Sequence, residues 1–198
     1  MSNYLRGSSS HAGFFEPDPM KKNIKTAFRR DNKNLSHYTC SAAGFSRCRR
    51  YRYWLRRAWD PSLEHCVFIC LNPSTADAHY DDPTLRRCVS MARRWGFGSL
   101  LLVNLFSFRT TNPRALKTES DPIGPRTDLW LRRAARETPH LIVAWGNGGL
   151  LDNRGATVHK RLGTPFCLGV TALGMPRHPL YCPDNTRLTP LPALPVVD

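Results

Sequence analysis

Four short apolar runs separated by segments of helical spacing do most to restrict how this chain can fold. They are Val67-Phe68-Ile69-Cys70-Leu71, Ser99 to Phe106, Leu141 to Trp145, and Phe166 to Val170. Apolar runs of this length, bounded by turn residues, suit strands covered on both faces. After the first run, Asp82-Pro83 offers a capping side chain and a proline fitted to a first helical turn. Leu85, Cys88, Val89, Ala92 and Trp95 then recur at helical spacing until Gly96 stops the pattern. A second helix is predicted over Pro125 to Glu137, with Leu129, Leu131 and Ala134 inward, and a short third over Thr157 to Leu162. Strands alternating with helices predict an α/β fold: a three-layer α/β/α domain around a central, mostly parallel sheet of about four strands.

In such sheets ligands bind beyond the carboxyl ends of the strands. Each apolar run here meets polar residues at its far end. Asn72 follows the first, Asn104 lies within the second, Trp145-Gly146-Asn147 closes the third, and Arg177-His178-Pro179 follows the fourth. These groups are expected to converge on one cleft.

The length of 198 residues favours one domain with extensions. Residues 1–35 mix Ser, Pro, Lys and Asn without a steady period and are expected to form a largely disordered basic extension. Residues 36–187 form the predicted catalytic domain, and 188–198 a Pro-rich extended strap. The chain carries 29 Lys and Arg against 15 Asp and Glu, a formal charge of +14. That excess repels itself unless a polyanion offsets it, so nucleic acid is the expected partner class. Most of the cations are Arg, whose fork suits phosphate oxygens and base edges.

The seven Cys are scattered with no CxxC pair, so no metal site and no cofactor are expected. Cys66, Cys70 and Cys167 fall in apolar runs, as small core residues of a reducing compartment do. No signal-peptide stretch opens the chain, and the longest apolar run is far too short to span a bilayer. A cytoplasmic protein without membrane contact is therefore expected, acting as a monomer.

Several short segments carry the candidate chemistry. Asn72-Pro73-Ser74-Thr75 leaves a buried strand and turns sharply. It is either an ordinary Asn-Pro turn or a place where Ser74, Thr75 and backbone N–H groups hold a phosphate or a water. Asn104 sits inside an apolar strand, where its carboxamide must be paired; it either bonds neighbouring backbone or reads the edge of a pyrimidine. His178 lies in a loop stiffened by Pro176 and Pro179, which suits a group held against a substrate. Trp145 is an aromatic at a strand end, where a core role is the expected one. Residues 47–57 pack six Arg, among them Arg49, Arg50 and Arg52, with Tyr51, Tyr53 and Trp54. That mixture suits phosphate contact with stacking, or a basic amphipathic edge strand, or both.

Taken together and in order, these segments resemble the uracil-DNA glycosylase superfamily over residues 67–181. Leu71-Asn72-Pro73 is similar to the superfamily's water-activating loop. Leu101-Leu102-Val103-Asn104 is similar to the strand whose Asn recognises the flipped base. Leu141 to Asn147 is similar to the hydrophobic strand ending in Trp-Gly, and Arg177-His178-Pro179-Leu180 to the His-Pro-Ser loop that enters the minor groove. The Asn-Pro-Ser-Thr-Ala-Asp and Arg-His-Pro-Leu-Tyr segments also resemble a widespread bacterial and phage family of undefined function. Asn72 stands where the most active glycosylase branch has Asp, and Leu180 where Ser is usual. The acidic loop Asp77 to Asp82 is an addition. These departures open the choice of base to modified pyrimidines, such as those of some phages.

The resemblance implies a DNA glycosylase that flips out a base and hydrolyses its N-glycosidic bond, in repair or anti-phage defence. Such a reaction passes through an oxocarbenium-like sugar and needs an oriented water, a donor to the departing base and a pocket for it. The implied roles are Asn72 for water, His178 for the leaving base, and Asn104 with Trp145 for binding the base. Asp77, Asp81 or Asp82 would supply the carboxylate that Asn72 lacks, Asp81 being the first choice. Ser74, Thr75, Arg49, Arg50, Arg52 and Arg177 would contact DNA. Two rival classes remain: a nucleosidase or deoxyribosyltransferase acting on free nucleosides, and a non-catalytic nucleic-acid-binding protein. The first has no need of so large a positive charge, and the second no use for Asn104 and His178 in one cleft.

Overall fold

The four apolar runs become four neighbouring parallel strands. In the computed structural model, which describes residues 37–195, β3 (His65–Cys70) pairs with β4 (Ser99–Asn104) on one side and β5 (Leu141–Val143) on the other. β6 (Phe166–Cys167) adds to β5, again in parallel. The sheet is nevertheless larger than expected. It has seven strands in the order β1-β2-β4-β3-β5-β6-β7, and the three additions are antiparallel. β1 (Cys40–Phe45) and β2 (Arg52–Ala58) form a hairpin whose second strand joins β4, and β7 (Thr189–Pro190) borders β6. The expected strap thus begins as an edge strand. The expected extension over 1–35 lies outside the described residues.

Strand side chains alternate between faces, so the core divides in two. Phe68, Cys70, Leu100, Leu102 and Ile142 pack with Leu85, Cys88, Met91 and Ala92 of α1 (Pro83–Arg94). Val67, Ile69, Leu101, Val103 and Val143 face α2 (Thr127–Ala134) and α3 (Arg154–His159) through Leu131, Ala134 and Val158. With each fully buried large apolar side chain contributing about 1.5–3 kcal/mol, these two layers hold the sheet.

α1 starts where the residues dictate. Asp82 Oδ1 accepts from the Leu85 N–H at 2.8 Å and Pro83 opens the first turn, while Gly96 adopts a φ of +85° just past the end. α2 begins two residues later than expected. Its buried stripe is Thr127, Trp130, Leu131 and Ala134, at i, i+3, i+4 and i+7, which leaves Leu129 on the solvent side rather than inward.

Candidate functional site

The outer end of the parallel strands is closed by chain that follows β3 and β4 beyond their register. Leu105 and Phe106 donate to the carbonyls of Cys70 and Leu71 at 2.9 and 3.0 Å, and the Thr110 N–H donates to the Pro73 carbonyl at 3.0 Å. Asn72 fastens the same two segments. Its Nδ2 donates to the carbonyls of Thr110 and Pro73 at 2.8 and 3.0 Å. A carboxylate there would set oxygen against oxygen, which explains physically why residue 72 is an amide. With its N–H groups engaged, Asn72 meets a water or ligand through Oδ1.

Asn104 ends β4 opposite Cys70 and is 2% exposed. Its Oδ1 accepts from Arg52 Nη2 at 3.2 Å, while its Nδ2 is buried without a hydrogen-bond partner among the described residues. Among the described residues its side chain bonds another side chain and not the neighbouring backbone.

Arg52, at the start of β2, is itself 3% exposed and donates through Nη1 to the Ala76 carbonyl at 2.9 Å. Its Nε is buried and also without a partner among the described residues. Burial pushes its pKa down to about 10, opposed by the Asp82 carboxylate and aided by the nearby Arg109. It remains a cation at neutral pH. Each unpaired buried donor costs about 1–3 kcal/mol, which an acceptor on a ligand would relieve.

His178 caps a short 3-10 turn over Pro179–Tyr181. Its Nδ1 accepts from the Leu180 N–H at 3.4 Å, so in the neutral ring the proton sits on Nε2. Burial lowers its pKa below 6.5, against an opposing pull from Asp82. The loop is held to the end of β5, where the Gly146 N–H donates to the Pro176 carbonyl at 2.8 Å. Gly146 has a φ of +66°, and a Cβ there would meet that of His178 at 3.5 Å, so the two segments run close together.

Asp82 relates the two halves. It caps α1, also accepts from the Ala76 N–H at 3.4 Å, and acts through space on both Arg52 and His178. The sequence offers Asp82 both as a helix cap and, with Asp77 and Asp81, as a source of the site's carboxylate, Asp81 being the first choice there. That assignment needs correction. Asp81 is buried with Oδ1 held by Arg57 Nε and Nη2 at 2.9 and 2.7 Å and Oδ2 by the Tyr38 hydroxyl at 2.7 Å. Arg57 also donates to the carbonyls of Asp77 and Tyr80 at 2.6 and 3.3 Å. The acidic loop is therefore wrapped around a buried strand arginine, and Asp81 is a structural anchor.

Two more expectations change. Trp145 is 1% exposed, and its indole lies over Gly149 and Gly155, where an added Cβ would collide with it. It is a core residue with no face for a stacked base. Arg52 points inward, as described, and does not share the surface of Arg49 and Arg50.

Those two occupy the exposed tip between β1 and β2. Arg49 lies 4.4 Å over the Phe45 ring and Arg109 lies 4.9 Å over the same ring. Arg50 pairs with Glu119 at 2.9 Å and packs over Phe108. The Arg109 N–H donates to the Arg50 carbonyl at 2.9 Å, which sets this cationic ridge beside the Asn72 loop through Thr110. In that loop Ser74 is half-buried and Thr75 exposed. Arg177 is exposed with Nε on the Val170 carbonyl at 2.9 Å, and Leu180 and Tyr181 beside His178 are exposed apolar surface.

Among the described residues no group of three or more His, Cys, Asp or Glu is placed to hold a metal, and no helix is long and apolar enough to cross a membrane. Fold and site together define an α/β protein with a buried amide–guanidinium pair at the strand ends and a basic hairpin beside it. The chain belongs to the DUF1643 family, described as a protein of unknown function, whose model matches residues 52–180. That span includes Arg52, Asn72, Asp82, Asn104 and His178. Comparison with curated proteins and with solved structures gives no match.

Proposed function

We propose that the protein is a DNA glycosylase that extrudes a base, a modified pyrimidine being the leading choice, and hydrolyses its N-glycosidic bond. The observation that carries this reading is Asn104: a buried amide at a strand end, oriented by a cation and holding an unpaired donor. Supporting it, Asn72, Asn104, Gly146 and His178 follow four adjacent parallel strands in the order that the glycosylase resemblance requires, and helices cover both faces of those strands.

In the proposed reaction the bond between C1′ and the base nitrogen breaks and its electron pair leaves with the base. A water oxygen bonds to C1′, and its proton passes to the base or to solvent. Asn72 Oδ1 orients that water. Neutral His178 donates from Nε2 to the base carbonyl as negative charge grows there, and Asn104 Nδ2 donates to the same ring's edge. The positive charge of Arg52 favours the anionic leaving group. The ridge of Arg49, Arg50 and Arg109, with Arg177 and the hydroxyls of Ser74 and Thr75, holds phosphates, and exposed Leu180 and Tyr181 suit a loop that enters a groove.

The test is to incubate the protein with DNAs that differ in one modified base and look for released base by mass spectrometry. Free base with an equal amount of abasic strand is expected. Turnover of free nucleosides but not DNA would replace this reading with a nucleosidase, and tight binding without any product with a binding protein. Repair of damaged DNA and defence against phages with modified bases are the two proposed settings.

A further inference from the structure

We propose that the outer face of α2 and α3 is a second DNA contact, which takes the single strand flanking the strand-end site. This rests on the DNA-acting reading of that site.

The topology places the face. β3 is parallel to both β4 and β5, so α2, which joins β4 to β5, runs back from the carboxyl ends of the strands toward their amino ends. α3 does the same between β5 and β6. Both helices start near the strand ends. Thr127 Oγ1 lies 2.8 Å from Ser107 Oγ, and Arg154 Nε donates to the Leu105 carbonyl at 3.1 Å, just past β4. Their last turns therefore lie toward the opposite end of the sheet, about 12 Å away along α2 at about 1.5 Å per residue.

Cations collect on those turns. Arg132 and Arg133 close α2, and Arg136 continues the same turn, its N–H donating to the Arg133 carbonyl at 3.0 Å. Lys160 and Arg161 follow α3, and all five side chains are exposed. Exposed Arg126 stands seven residues before Arg133, so the two share one stripe with exposed Leu129 between them.

A helix C-terminus favours a cation, but Arg132 and Arg136, at i and i+4, repel each other. Asp128, the carboxylate between the two helices, is already engaged by Arg154 and Arg161. Arg126, Arg132, Arg133, Arg136 and Lys160 have no ion pair among the described residues. The Trp130 ring seats the Arg133 guanidinium at 5.1 Å. A row of cations left unneutralised by the protein is offset by a phosphate backbone.

The face contacts backbone and not bases. The notch between Leu131 and Arg132 of α2 and Val158, Arg161 and Leu162 beyond it measures about 20 Å³, room for a water but not for a base. The geometry also chooses the strand. Arg49 and Arg50 lie across the carboxyl ends of the strands, whereas α2 runs along the face of the sheet. DNA touching both must turn from one to the other within a few nucleotides. A duplex, with a persistence length of about 150 base pairs, resists that turn, and a single strand follows it.

The experiment titrates the full chain with labelled oligothymidylates of about 6 and about 20 nucleotides, and with a duplex of the longer length, over a range of salt. Arg132→Gln, Arg133→Gln and Arg136→Gln together should bind the short strand and the duplex as wild type does. The same protein should bind the long strand more weakly, with its salt slope flattened by about 2, at about 0.7 for each lost single-strand phosphate contact. The corresponding triple Lys variant should keep the wild-type slope. Neutralising Arg49 and Arg50 should weaken all three ligands. In the wild type, which needs no variant to fold, phenylglyoxal labelling of Arg133 and Arg136 should fall when the long strand is bound and not when the short one is.

A triple Gln variant with the wild-type slope on the long strand would overturn the proposal and leave the DNA-acting reading standing. So would equal losses on both strand lengths, a duplex weakened as much as the single strand, or labelling that the long strand leaves unchanged. Loss of binding to phosphatidylserine vesicles with all DNA binding intact would overturn it in favour of a membrane surface. A wild-type protein that binds none of the three DNAs would remove the DNA-acting reading and this proposal with it.

Discussion

Nη2 of Arg52 lies 3.2 Å from Oδ1 of Asn104, and both side chains are buried where β2 and β4 leave the sheet. The pair joins the antiparallel hairpin to the parallel core and sets an amide donor at the strand ends. A cation is buried here without an ion pair among the described residues, and burial lowers its pKa to about 10.

Asp82 serves the fold and the site at once, and two substitutions separate these roles. Asp82→Ala removes the cap of α1 and is expected to destabilise by about 1 kcal/mol, whereas Asp82→Asn retains a capping oxygen and should melt close to wild type. Because Asp82 raises the His178 pKa against burial, either change should lower that pKa further. An NMR titration of the His178 ring reads this directly. An unchanged value in Asp82→Asn would separate Asp82 from the site.

His178 also sets a pH dependence. Burial holds its folded pKa below the ordinary 6.5, so the unfolded chain binds the proton more readily than the folded one. Its contribution to stability is therefore fully present above 6.5 and is lost as pH falls from there through the folded pKa. Melting temperatures measured downward from neutral pH should decline less in His178→Gln than in wild type. Base release, which needs the neutral ring, should persist below pH 6.5 before it fails.

Asp81 belongs to the scaffold. Asp81→Ala leaves Arg57 buried and unpaired and is expected to cost about 3–5 kcal/mol, as breaking one side of a buried pair does. The folded fraction should still release base at the wild-type rate. Denaturant melts and single-turnover rates check both halves, and a folded Asp81→Ala protein without activity would return Asp81 to the site.

On the proposed reading, charge on the hairpin tip governs DNA affinity. Neutralising Arg49 and Arg50 should weaken binding to all sequences alike and flatten the slope of log affinity against log salt by about 0.7–0.9 per lost phosphate contact. Arg52 is left out because it is buried. A slope identical to wild type would place the DNA elsewhere.

The parallel core was legible because its strands are uninterrupted apolar runs and because Asp82-Pro83 and Gly96 bracket α1 with ordinary capping chemistry. β1 and β2 were not. In β2 the buried positions include Arg52 and Arg57, whose guanidinium groups find hydrogen-bond acceptors far along the chain, so the usual apolar alternation is masked. Asp81 and Asp82 are neighbours in sequence, yet one turns to Arg57 and the other to the start of α1. Only a strand placed by tertiary pairing tells them apart. For Trp145 the residues themselves point to a core role and only the resemblance to a base-binding one, and the glycines that seat its indole reveal their role only when the turn after β5 folds back. Asn104, by contrast, announced itself as a polar group in an apolar strand.

The most direct test of the account measures base release and DNA affinity side by side for Asn104→Ala and His178→Ala. Nonspecific affinity comes from Arg–phosphate contacts, whereas these two side chains act on the extruded base. Release is expected to fall by about 10²–10³-fold in each variant, with salt-matched binding near wild type. A His178→Ala or Asn104→Ala protein that folds, binds DNA and releases base at the wild-type rate would contradict the account.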